Sequence, residues 1–351
     1  MPSLYVFIAV TVFILTFSLT FFALRLFPKF GLVDRPAKYG LKRKPIPYYG
    51  GLVIFLSFFL SVFIFLGFDW RLVGLVIASF FIVVVSFFDD YRDLSPYFRF
   101  VAQVIASLIL VGFGIFIAEV RNPFGGILAL NHYLLSFPFG PFSVSILSIA
   151  LTVFWVVFIT NTVNFLDGLN GLASGVSSIG FFILFVLSIK PAFHTIDQSV
   201  FAVLSLILAV IAFTFVLFEF APAKILMGDT GSMFLGFMLA VLSIFSGGKI
   251  ATAFLVLGFP ILDAVWVIFR RILSGNSPFR GDLQHLHHRF LKAGFTERQA
   301  LLFLYLLSTL FGSVALFLET FGKIIALFIL VIFMLIVGSF LIVRARTRQH
   351  N

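Results

Sequence analysis

The sequence is dominated by apolar runs that are each long enough to cross a lipid bilayer. A membrane-spanning helix needs roughly 17 to 25 mainly apolar residues, and eleven runs of about this length lie along the 351 residues. They cover residues 4–24, 50–68, 71–88, 98–118, 143–160, 172–189, 200–218, 231–246, 250–269, 301–318 and 323–343. We therefore predict an all-α integral membrane protein, a polytopic bundle of about eleven transmembrane helices.

The amino-acid composition excludes an ordinary soluble protein. Hydrophobic residues make up 61% of the chain and charged residues 11%, whereas soluble domains are about half apolar and about a quarter charged. The chain has no cysteine, so disulfides and thiolate metal sites are excluded. The run at 4–24 has neither a basic segment before it nor a small-residue cleavage site, which predicts a retained span rather than a signal peptide.

The basic residues indicate how the bundle is oriented. The net charge is +10, but the lysines and arginines lie between the apolar runs, so we expect no nucleic-acid partner. All but five of the 24 fall in alternate connecting segments, as in cytoplasmic loops. We predict an N-terminus outside and a C-terminus in the cytosol. Residues 1–351 then form a single transmembrane domain, with cytosolic loops at 25–49, 89–99, 161–171, 219–230 and 270–300.

The segments on the outer side contain little polar chemistry. The longest of them, 119–142, has proline and glycine near its ends and apolar residues between them. This pattern predicts a short hairpin lying on the membrane surface.

Three carboxylates and a guanidinium follow directly on the third apolar run. They are Asp89, Asp90, Arg92 and Asp93. Adjacent ionised carboxylates repel each other until a hard cation neutralises them, and acids at a membrane boundary are functional by default. We therefore predict a divalent cation here. The alternative is a lipid-facing helix end whose acids pair with Arg92 and Arg99.

A second polar motif lies between the fifth and sixth apolar runs. Asn161, Asn164 and Asp167 recur at intervals of three residues, so on a continuing helix they lie within two turns of each other. Gly168 and Gly171 then let the chain turn. A helix C-cap with a glycine turn explains the glycines, but it does not require asparagines inside the apolar end of a span.

Two later aspartates each admit a structural role. Asp229 stands where the eighth run begins, as an N-cap residue does, but the same helix N-terminus would also receive an anion or a metal–phosphate complex. The motif leaves these two roles open. Asp263 lies seven residues before Arg270 on one helix face, and we predict that the two form a buried ion pair.

The first cytosolic loop combines basic residues with prolines and glycines. Asp34 is followed by Lys42, Arg43 and Lys44 and then by the segment 45–51. An anchor that obeys the positive-inside rule explains the basic residues at least as well as ligand binding does. The prolines and paired glycines of 45–51 instead suit a loop that approaches a phosphate closely.

Three histidines stand close together in the last large loop. His285, His287 and His288 are followed by Arg289. Zinc is one interpretation, but these histidines do not form the i, i+4 pair of a helical zinc site, and no cysteine is present. Histidine and arginine also donate hydrogen bonds to phosphate oxygens, and we favour that interpretation.

Together the motifs offer oxygen ligands, a helix N-terminus and basic donors on one side of a membrane, which suits a magnesium-dependent phosphoryl transfer. In their order along the chain they resemble the polyprenyl-phosphate N-acetylhexosamine-1-phosphate transferase family. The motifs that carry the resemblance are Asp89-Asp90-Tyr91, Asn161-x-x-Asn164-Phe-x-Asp167-Gly168, Met227-Gly228-Asp229-Thr-Gly-Ser and His285-Leu-His287-His288-Arg289. Such enzymes move a sugar-1-phosphate from a UDP-activated sugar to a polyisoprenyl phosphate lipid and release UMP.

The resemblance also implies a substrate and a location. The branch that uses UDP-N-acetylglucosamine and undecaprenyl phosphate, at the start of O-antigen, enterobacterial common antigen or teichoic acid synthesis, is the most similar. UDP-N-acetylmuramoyl-pentapeptide or another UDP-N-acetylhexosamine is the alternative donor. The implied location is the cell inner (cytoplasmic) membrane, with the active site on its cytosolic face, and a homodimer is compatible with it.

Carried over position by position, the resemblance assigns roles to individual residues. Asp90 and Asp229 become ligands of Mg²⁺, for which Mn²⁺ would substitute, and Asp89 orients or deprotonates the lipid phosphate. The residues implied in catalysis are Asp89, Asp90, His287 and His288. Those implied in substrate binding are Asp34, Arg43, Lys44, Asn161, Asn164, Asp167, Lys224, His285 and Arg289. The sequence departs from the family at Asn170, where relatives often have aspartate, and at Leu226, where some have an aromatic residue.

A transporter is the rival interpretation from a different class. Ion-coupled transporters place their acids near the bilayer midplane and often show internal repeats. Here the acids lie at one face, and no strong repeat is evident in the sequence. We therefore disfavour an ion-coupled membrane transporter.

Overall fold

The structure is a computed structural model, and it describes residues 2–36, 44–67, 69–92, 94–121, 126–130, 134–136, 143–190, 198–245, 250–275 and 285–350. Over these residues the chain forms thirteen α-helices. They are α1 (Pro2–Leu26), α2 (Gly50–Phe65), α3 (Trp70–Arg92), α4 (Pro96–Gly112), α5 (Ile146–Asn164), α6 (Leu172–Ile189), α7 (Ser199–Glu219), α8 (Gly228–Phe245), α9 (Ile250–Val256), α10 (Gly258–Leu273), α11 (Leu286–Lys292), α12 (Glu297–Ala315) and α13 (Thr320–His350). Short 3-10 helices follow α1 at Phe27–Phe30 and α5 at Phe165–Gly168.

The predicted all-α fold is confirmed for the bundle and needs one correction outside it. Four strands of three residues each form two antiparallel pairs, β1 (Glu119–Arg121) with β2 (Ile127–Ala129) and β3 (Leu134–Ser136) with β4 (Ser143–Ser145). The first pair is the predicted hairpin within 119–142. Strands this short leave too little alternation to be recognised as strands from sequence.

Helix length does not bear out the predicted number of eleven spans. By length and composition, seven of the described helices can cross a membrane, or eight if the bent pair α9–α10 counts as one span. The apolar helices α2, α4 and α8 are shorter, and the apolar part of each is 10 to 17 residues long. Each of the eleven runs does contain a helix, but a run records apolar composition rather than helix length. The run 98–118, for example, continues past Gly112, where α4 ends.

One predicted span is broken into two helices. The run 250–269 is uninterrupted in sequence, yet α9 and α10 meet at an angle of 82°. Pro260 accounts for the break, because proline lacks a backbone N–H and its ring clashes with the carbonyl four residues earlier. That carbonyl belongs to Val256, the last residue of α9.

Helix α8 lies at the centre of the bundle. Phe234, Phe237 and Met238 have no exposed surface, and the helix packs against α2, α3, α5 and α6. Helix α2 comes so close that a Cβ on Gly51 would lie 2.1 Å from the backbone nitrogen of Gly231. Small residues permit such approaches between membrane helices. The N-terminus of α8 is thereby held among its neighbours at the point where the predicted motifs meet.

Candidate active site

The carboxylate of Asp90 caps helix α8 from a neighbouring helix. Asp90 lies near the end of α3 and accepts hydrogen bonds from the backbone N–H groups of Asp229 and Thr230, each at 2.9 Å. The hydroxyls of Tyr48 and Thr230 also donate to it. These four donors match the four lone-pair sites of a carboxylate. Asp229 therefore lies inside the first turn of α8, and the acceptor that the turn needs comes from Asp90.

A single arginine joins the two remaining acids. Nη1 of Arg99, on α4, lies 3.2 Å from Oδ2 of Asp89 and 3.0 Å from Oδ2 of Asp229. The other oxygen of Asp89 accepts a hydrogen bond from the backbone N–H of Leu94 at 2.7 Å. Oδ2 of Asp89 is buried and has no hydrogen-bond partner among the described residues. Two carboxylate oxygens thus converge on one positive charge between α3, α4 and α8.

The asparagine motif at the end of α5 reaches the same acids. Nδ2 of Asn164 donates to Oδ1 of Asp229 at 2.7 Å and to the hydroxyl of Ser232 at 2.9 Å. Asp167, in the 3-10 helix that follows, interacts electrostatically with Asp229 and Asp90. The structure therefore brings the acidic stretch, the asparagine motif and Asp229 together, while their roles in catalysis remain predictions.

Asn161 makes a different contact. Its Nδ2 donates to Oε1 of Gln103 at 2.6 Å and to the carbonyl oxygen of Val157 at 2.8 Å. Gln103 is buried on α4. The amide pair ties α4 to α5 directly below Asn164, so Asn161 supports the helix that carries the motif.

The loop between α1 and α2 is bonded to the loop that precedes α8. Val33 and Pro47 form an isolated antiparallel bridge, and the backbone N–H of Leu226 donates to the carbonyl oxygen of Pro47 at 3.0 Å. The carboxylate of Asp34 accepts a hydrogen bond from the backbone N–H of Ile46 at 2.8 Å. Asp34 therefore closes this loop, and its predicted contact with substrate remains untested.

Tyr48 brings the same loop to the acids. Its hydroxyl donates to Oδ1 of Asp90 at 2.9 Å. Burial, and then the charge of Asp90, raises the pKa of Tyr48 above its usual range, so the hydroxyl keeps its proton at neutral pH. Of the basic residues predicted to bind substrate here, Lys44 is exposed, and Arg43 lies outside the described residues.

The histidine segment enters the site next to α10. His285 immediately precedes α11, and its Nδ1 lies 2.9 Å from Oδ2 of Asp263. The sequence predicted Arg270 as the partner of Asp263, whereas the structure shows His285 in that role. Helical spacing locates the carboxylate correctly, but it contains no information about a loop that returns to the helix from later in the chain.

His287 is buried against the glycine that ends the asparagine motif. It is 2% exposed, and its Nε2 has no hydrogen-bond partner in the part of the chain that is described. A Cβ on Gly168 would lie 2.5 Å from that nitrogen. Burial, and next the neighbouring His288 and His285, lowers the pKa of His287 to about 3. Its imidazole is therefore neutral at neutral pH.

A cavity of about 740 Å³ opens beside these groups, and we refer to it as the large cavity. Its polar end includes Arg99, Asn164 and His285, and Arg271 lines the cavity farther along α10. Its walls come from α4, α5 and α10 and are apolar. They include Phe100, Val153, Phe154, Val157, Val267 and Ile268. The large cavity therefore combines a polar, largely basic end with a long apolar lining.

Some predicted ligands lie away from the large cavity. Arg289 lines a separate apolar cavity of about 310 Å³ between α10 and α13. Lys224 is exposed in the loop before α8. Asp93 falls outside the described residues. The predicted roles of Arg289 and Lys224 in substrate binding therefore gain no support from their positions.

Sequence reasoning missed residues that hold the site in place. Glu219, which is 1% exposed, accepts a hydrogen bond from the backbone N–H of Met227 at 3.1 Å and so fixes the loop before Asp229. Gln103 pairs with Asn161. Gln103 lies within an apolar run, and Glu219 lies at the end of one. Polar side chains at such positions are functional by default, so their positions could have identified them from sequence. Arg99 entered the sequence interpretation only as an ion-pair partner.

Comparison with known proteins identifies relatives of the chain. A family model described as glycosyl transferase family 4 matches residues 72–247. A probable undecaprenyl-phosphate N-acetylglucosaminyl 1-phosphate transferase from Bacillus subtilis is 32% identical over 89% of this chain and 85% of its own length. A decaprenyl-phosphate N-acetylglucosaminephosphotransferase from Mycolicibacterium smegmatis is 30% identical over 85% of this chain and 78% of its own.

A third relative comes from Escherichia coli and is named undecaprenyl-phosphate alpha-N-acetylglucosaminyl 1-phosphate transferase. It is 28% identical over 88% of this chain and 83% of its own length. The residues matched by the family model include Asp89, Asp90, Asn164 and Asp229, whose side chains meet in the structure. Together with the extent of the matches, this shows that the chain belongs to glycosyl transferase family 4.

Proposed function

We propose that this protein transfers N-acetylglucosamine-1-phosphate from UDP-N-acetylglucosamine to undecaprenyl phosphate and releases UMP. The proposal rests on the convergence of Asp89 and Asp229 on Arg99 at the polar end of the large cavity. The names of the relatives from Bacillus subtilis and Escherichia coli support this sugar and this lipid. The reaction would be the membrane-committed first step of a cell-surface polysaccharide or teichoic acid pathway.

The large cavity has the polarity of a polyisoprenyl phosphate. Such a lipid joins a long apolar chain to a small anionic group, and ligand sites typically match this with apolar walls and a few placed polar groups. In the large cavity, Arg99 and His285 lie at one end and the apolar walls of α4, α5 and α10 extend from it. We place the lipid phosphate at the basic end and the first isoprene units along α5 and α10.

The acids also fit a divalent cation, Mg²⁺ or Mn²⁺. Oδ2 of Asp89 is buried, accepts no hydrogen bond from the described residues and lies against the guanidinium of Arg99. Oδ2 of Asp229 faces the same guanidinium. Mg²⁺ is usually bound by one or two carboxylates, with water and substrate phosphates completing its shell. No three acidic or histidine side chains group for a metal among the described residues. A pair of carboxylates completed by the diphosphate of the donor is consistent with that.

We therefore assign Asp89 and Asp229 as the residues that would hold the ion. The sequence-based assignment of Asp90 as a ligand remains a prediction. Four donors already occupy the carboxylate of Asp90, which favours a role in positioning α8 instead. When bound, the ion would neutralise negative charge on the diphosphate.

The reaction depends on positioning more than on a strong base. A phosphate monoester has a second pKa of about 6, so the lipid phosphate is largely dianionic at neutral pH. One of its oxygens attacks the phosphorus that carries the sugar, and the bond from this phosphorus to the oxygen shared with UMP breaks. UMP leaves with that oxygen and its electron pair. Arg99 and His285 line the large cavity and would balance the charge of phosphates bound there.

We also infer eleven crossings, with the N-terminus outside and the active site in the cytosol. The helices α3, α5 and α7 end at the site, and α4, α6 and α8 begin there. The bent pair α9–α10 returns to this side, since Asp263 reaches His285. Helix α12 begins there, with Arg298 bonded to the carbonyl oxygen of Ala221. Helix α13 ends there, with Arg344 over the ring of Phe295.

This alternation supports one crossing each for the shorter helices α2, α4 and α8. The excess of basic residues in the connections on this side supports a cytosolic active site in the inner membrane. Cysteine accessibility to a membrane-impermeant reagent tests the orientation. A cysteine in place of the exposed Glu119 should react from outside intact cells, whereas one in place of the exposed Lys224 should react only after the membrane is opened. The reverse pattern would contradict the topology.

Release of UMP tests the proposed reaction. Purified protein is incubated with Mg²⁺, undecaprenyl phosphate and, in parallel, UDP-N-acetylglucosamine, UDP-N-acetylgalactosamine or UDP-N-acetylmuramoyl-pentapeptide. We expect UMP only when the lipid is present, and the highest rate with UDP-N-acetylglucosamine. A preference for the pentapeptide donor would contradict the assigned sugar, and no UMP with any donor would contradict the reaction. The matched inactive control is Asp229→Asn.

A further inference from the structure

We propose that Asp263 is a positioning residue that fixes the imidazole of His285 for contact with a phosphate oxygen in the large cavity. The inference rests on the proposed function, because it identifies the ligand of His285 as a phosphate group of the lipid or of the nucleotide sugar. Asp263 lies on α10, outside the motifs that carry the family resemblance. From the sequence it is predicted only to be an ion-pair partner of Arg270.

Asp263 contacts two consecutive residues at the start of α11, His285 and Leu286. Its Oδ2 lies 2.9 Å from Nδ1 of His285, and its Oδ1 accepts a hydrogen bond from the backbone N–H of Leu286 at 2.9 Å. Asp263 is 9% exposed and His285 is 7% exposed, so both bonds are shielded from water. An ionised carboxylate can only accept hydrogen bonds. Nδ1 of His285 must therefore carry a hydrogen.

Two further rings lie next to the imidazole of His285. The centroid of the Phe165 ring lies 5.4 Å from the centroid of the imidazole, and the two ring planes form an angle of 32°. The ring of His287 is parallel within 1° at 5.8 Å. Asp263 contacts the imidazole at Nδ1, so Nε2 is the ring nitrogen that can contact a ligand. His285 is one of the residues that line the large cavity.

The charges at the polar end of the large cavity identify the ligand as an oxyanion. Arg99 and His288 lie at the same end as His285, and Arg271 lines the cavity farther along α10. Nε2 donates to a phosphate oxygen only when it also carries a hydrogen. A carboxylate that holds Nδ1 sets the orientation of the ring and so directs Nε2. Asp263 thus acts on the substrate through His285.

A purely structural explanation would use only the bond to Leu286, because the first turn of α11 needs an acceptor. Asp263→Asn separates the two roles. Asparagine keeps an oxygen for the N–H of Leu286, but it loses the charge and presents an N–H group to Nδ1 of His285. Asp69→Asn is the matched control, since Oδ1 of Asp69 accepts a backbone hydrogen bond from Leu72 at 2.7 Å at another helix start.

The first test does not depend on turnover. Nitrogen NMR of protein labelled at its six histidines reports which ring nitrogens are protonated, and His285→Gln identifies the signal of His285. We expect Nδ1 of His285 to be protonated in the wild type and in Asp69→Asn, and to lose its proton in Asp263→Asn. An unprotonated Nδ1 in the wild type, or no change in Asp263→Asn, would overturn the inference.

The second test is a double-mutant cycle on UMP release, with Asp263→Asn, His285→Gln and the double variant. Asp263→Asn should lower kcat/KM by about 10–100-fold, as loss of the partner of a functional histidine does. The double variant should lose no more than His285→Gln alone, because the residues act as one unit. The substrate whose KM rises more, the nucleotide sugar or the lipid, identifies the phosphate.

Losses that multiply in the double variant would overturn the inference. So would an Asp263→Asn variant within about twofold of the wild type, which is the behaviour expected of Asp69→Asn because surface caps act locally. A wild-type protein that releases no UMP with any donor counts against the proposed function alone. In that case the NMR result still decides whether Asp263 positions His285.

Discussion

The backbone N–H of Asp229 donates a hydrogen bond to the carboxylate of Asp90 at 2.9 Å. This bond joins α3 to the first turn of α8 and sets where the side chain of Asp229 lies. It also separates the adjacent acids Asp89 and Asp90 by role. Asp90 is occupied by donors from α8 and the first loop. Asp89 instead directs towards Arg99 a buried oxygen that accepts no hydrogen bond from the described residues.

Replacing Asp90 should therefore cost more stability than replacing Asp89. Asp90→Asn places an N–H group against donors that need an acceptor, and such unsatisfied groups cost about 1–3 kcal/mol. Asp89→Asn keeps an oxygen for Leu94, and Arg99 keeps its contact with Asp229, so we expect a smaller loss than for Asp90→Asn. Both variants should lose nearly all UMP release. Thermal unfolding in detergent checks the difference, and equal destabilisation of both would contradict it.

Arg99 should substitute for the divalent cation when none is bound. Arg99→Met leaves Asp89 and Asp229 without the charge that now lies between them, and we expect a loss of about 1–3 kcal/mol of stability in a chelating buffer. Adding Mg²⁺ should raise the melting temperature of this variant more than that of the wild type. Arg71→Met, at the other end of α3, is the control. An identical Mg²⁺ effect in the wild type and in Arg99→Met would contradict the assigned ligands.

Gly168 should tolerate no side chain. A Cβ there would lie 2.5 Å from Nε2 of His287, so Gly168→Ala must displace the buried imidazole, at a cost of about 1–3 kcal/mol for overpacking. UMP release should fall at least tenfold if His287 is needed in place. Gly67→Ala is the matched control, because nothing lies within 4 Å of its added Cβ. A fully active Gly168→Ala variant would argue against a role for His287.

The burial of His287 should make the protein acid-sensitive. Its pKa is lowered from 6.5 to about 3 on folding, so between these values the unfolded chain binds a proton that the folded chain does not. Stability is therefore lost as the pH falls below 6.5, by up to about 1.4 kcal/mol per pH unit. His287→Gln lacks this contribution, and its stability should fall by about 2 kcal/mol less between about pH 7 and pH 5. Unfolding at both pH values measures it, and parallel losses would contradict the burial of a neutral ring.

The helices and the meeting of the motifs could be predicted from sequence. Each of the eleven apolar runs contains a helix, since backbone groups in lipid must be satisfied within the segment. The convergence of Asn164 with Asp229 followed from placing both at the same membrane face. The lengths of individual helices could not be predicted, because apolar composition continues beyond helix ends and through the break at Pro260.

The partners of individual polar side chains were beyond the sequence. The amino-acid sequence does not distinguish two adjacent aspartates. In the structure, however, Asp90 contacts Tyr48 and Thr230, while Asp89 contacts Arg99. Such differences depend on contacts between segments far apart in the chain. The same holds for Asp263, whose helical spacing indicated Arg270 and whose carboxylate lies against His285.

The most direct test of the account is the fate of the phosphate that carries the sugar. Wild-type protein is given undecaprenyl phosphate, Mg²⁺ and UDP-N-acetylglucosamine labelled at that phosphate, and the lipid and nucleotide products are separated. We predict that the label enters the lipid in equal amount to the UMP released, and that Asp89→Asn and Asp229→Asn abolish both. Label that stays in UDP while the sugar alone moves to the lipid would contradict sugar-1-phosphate transfer.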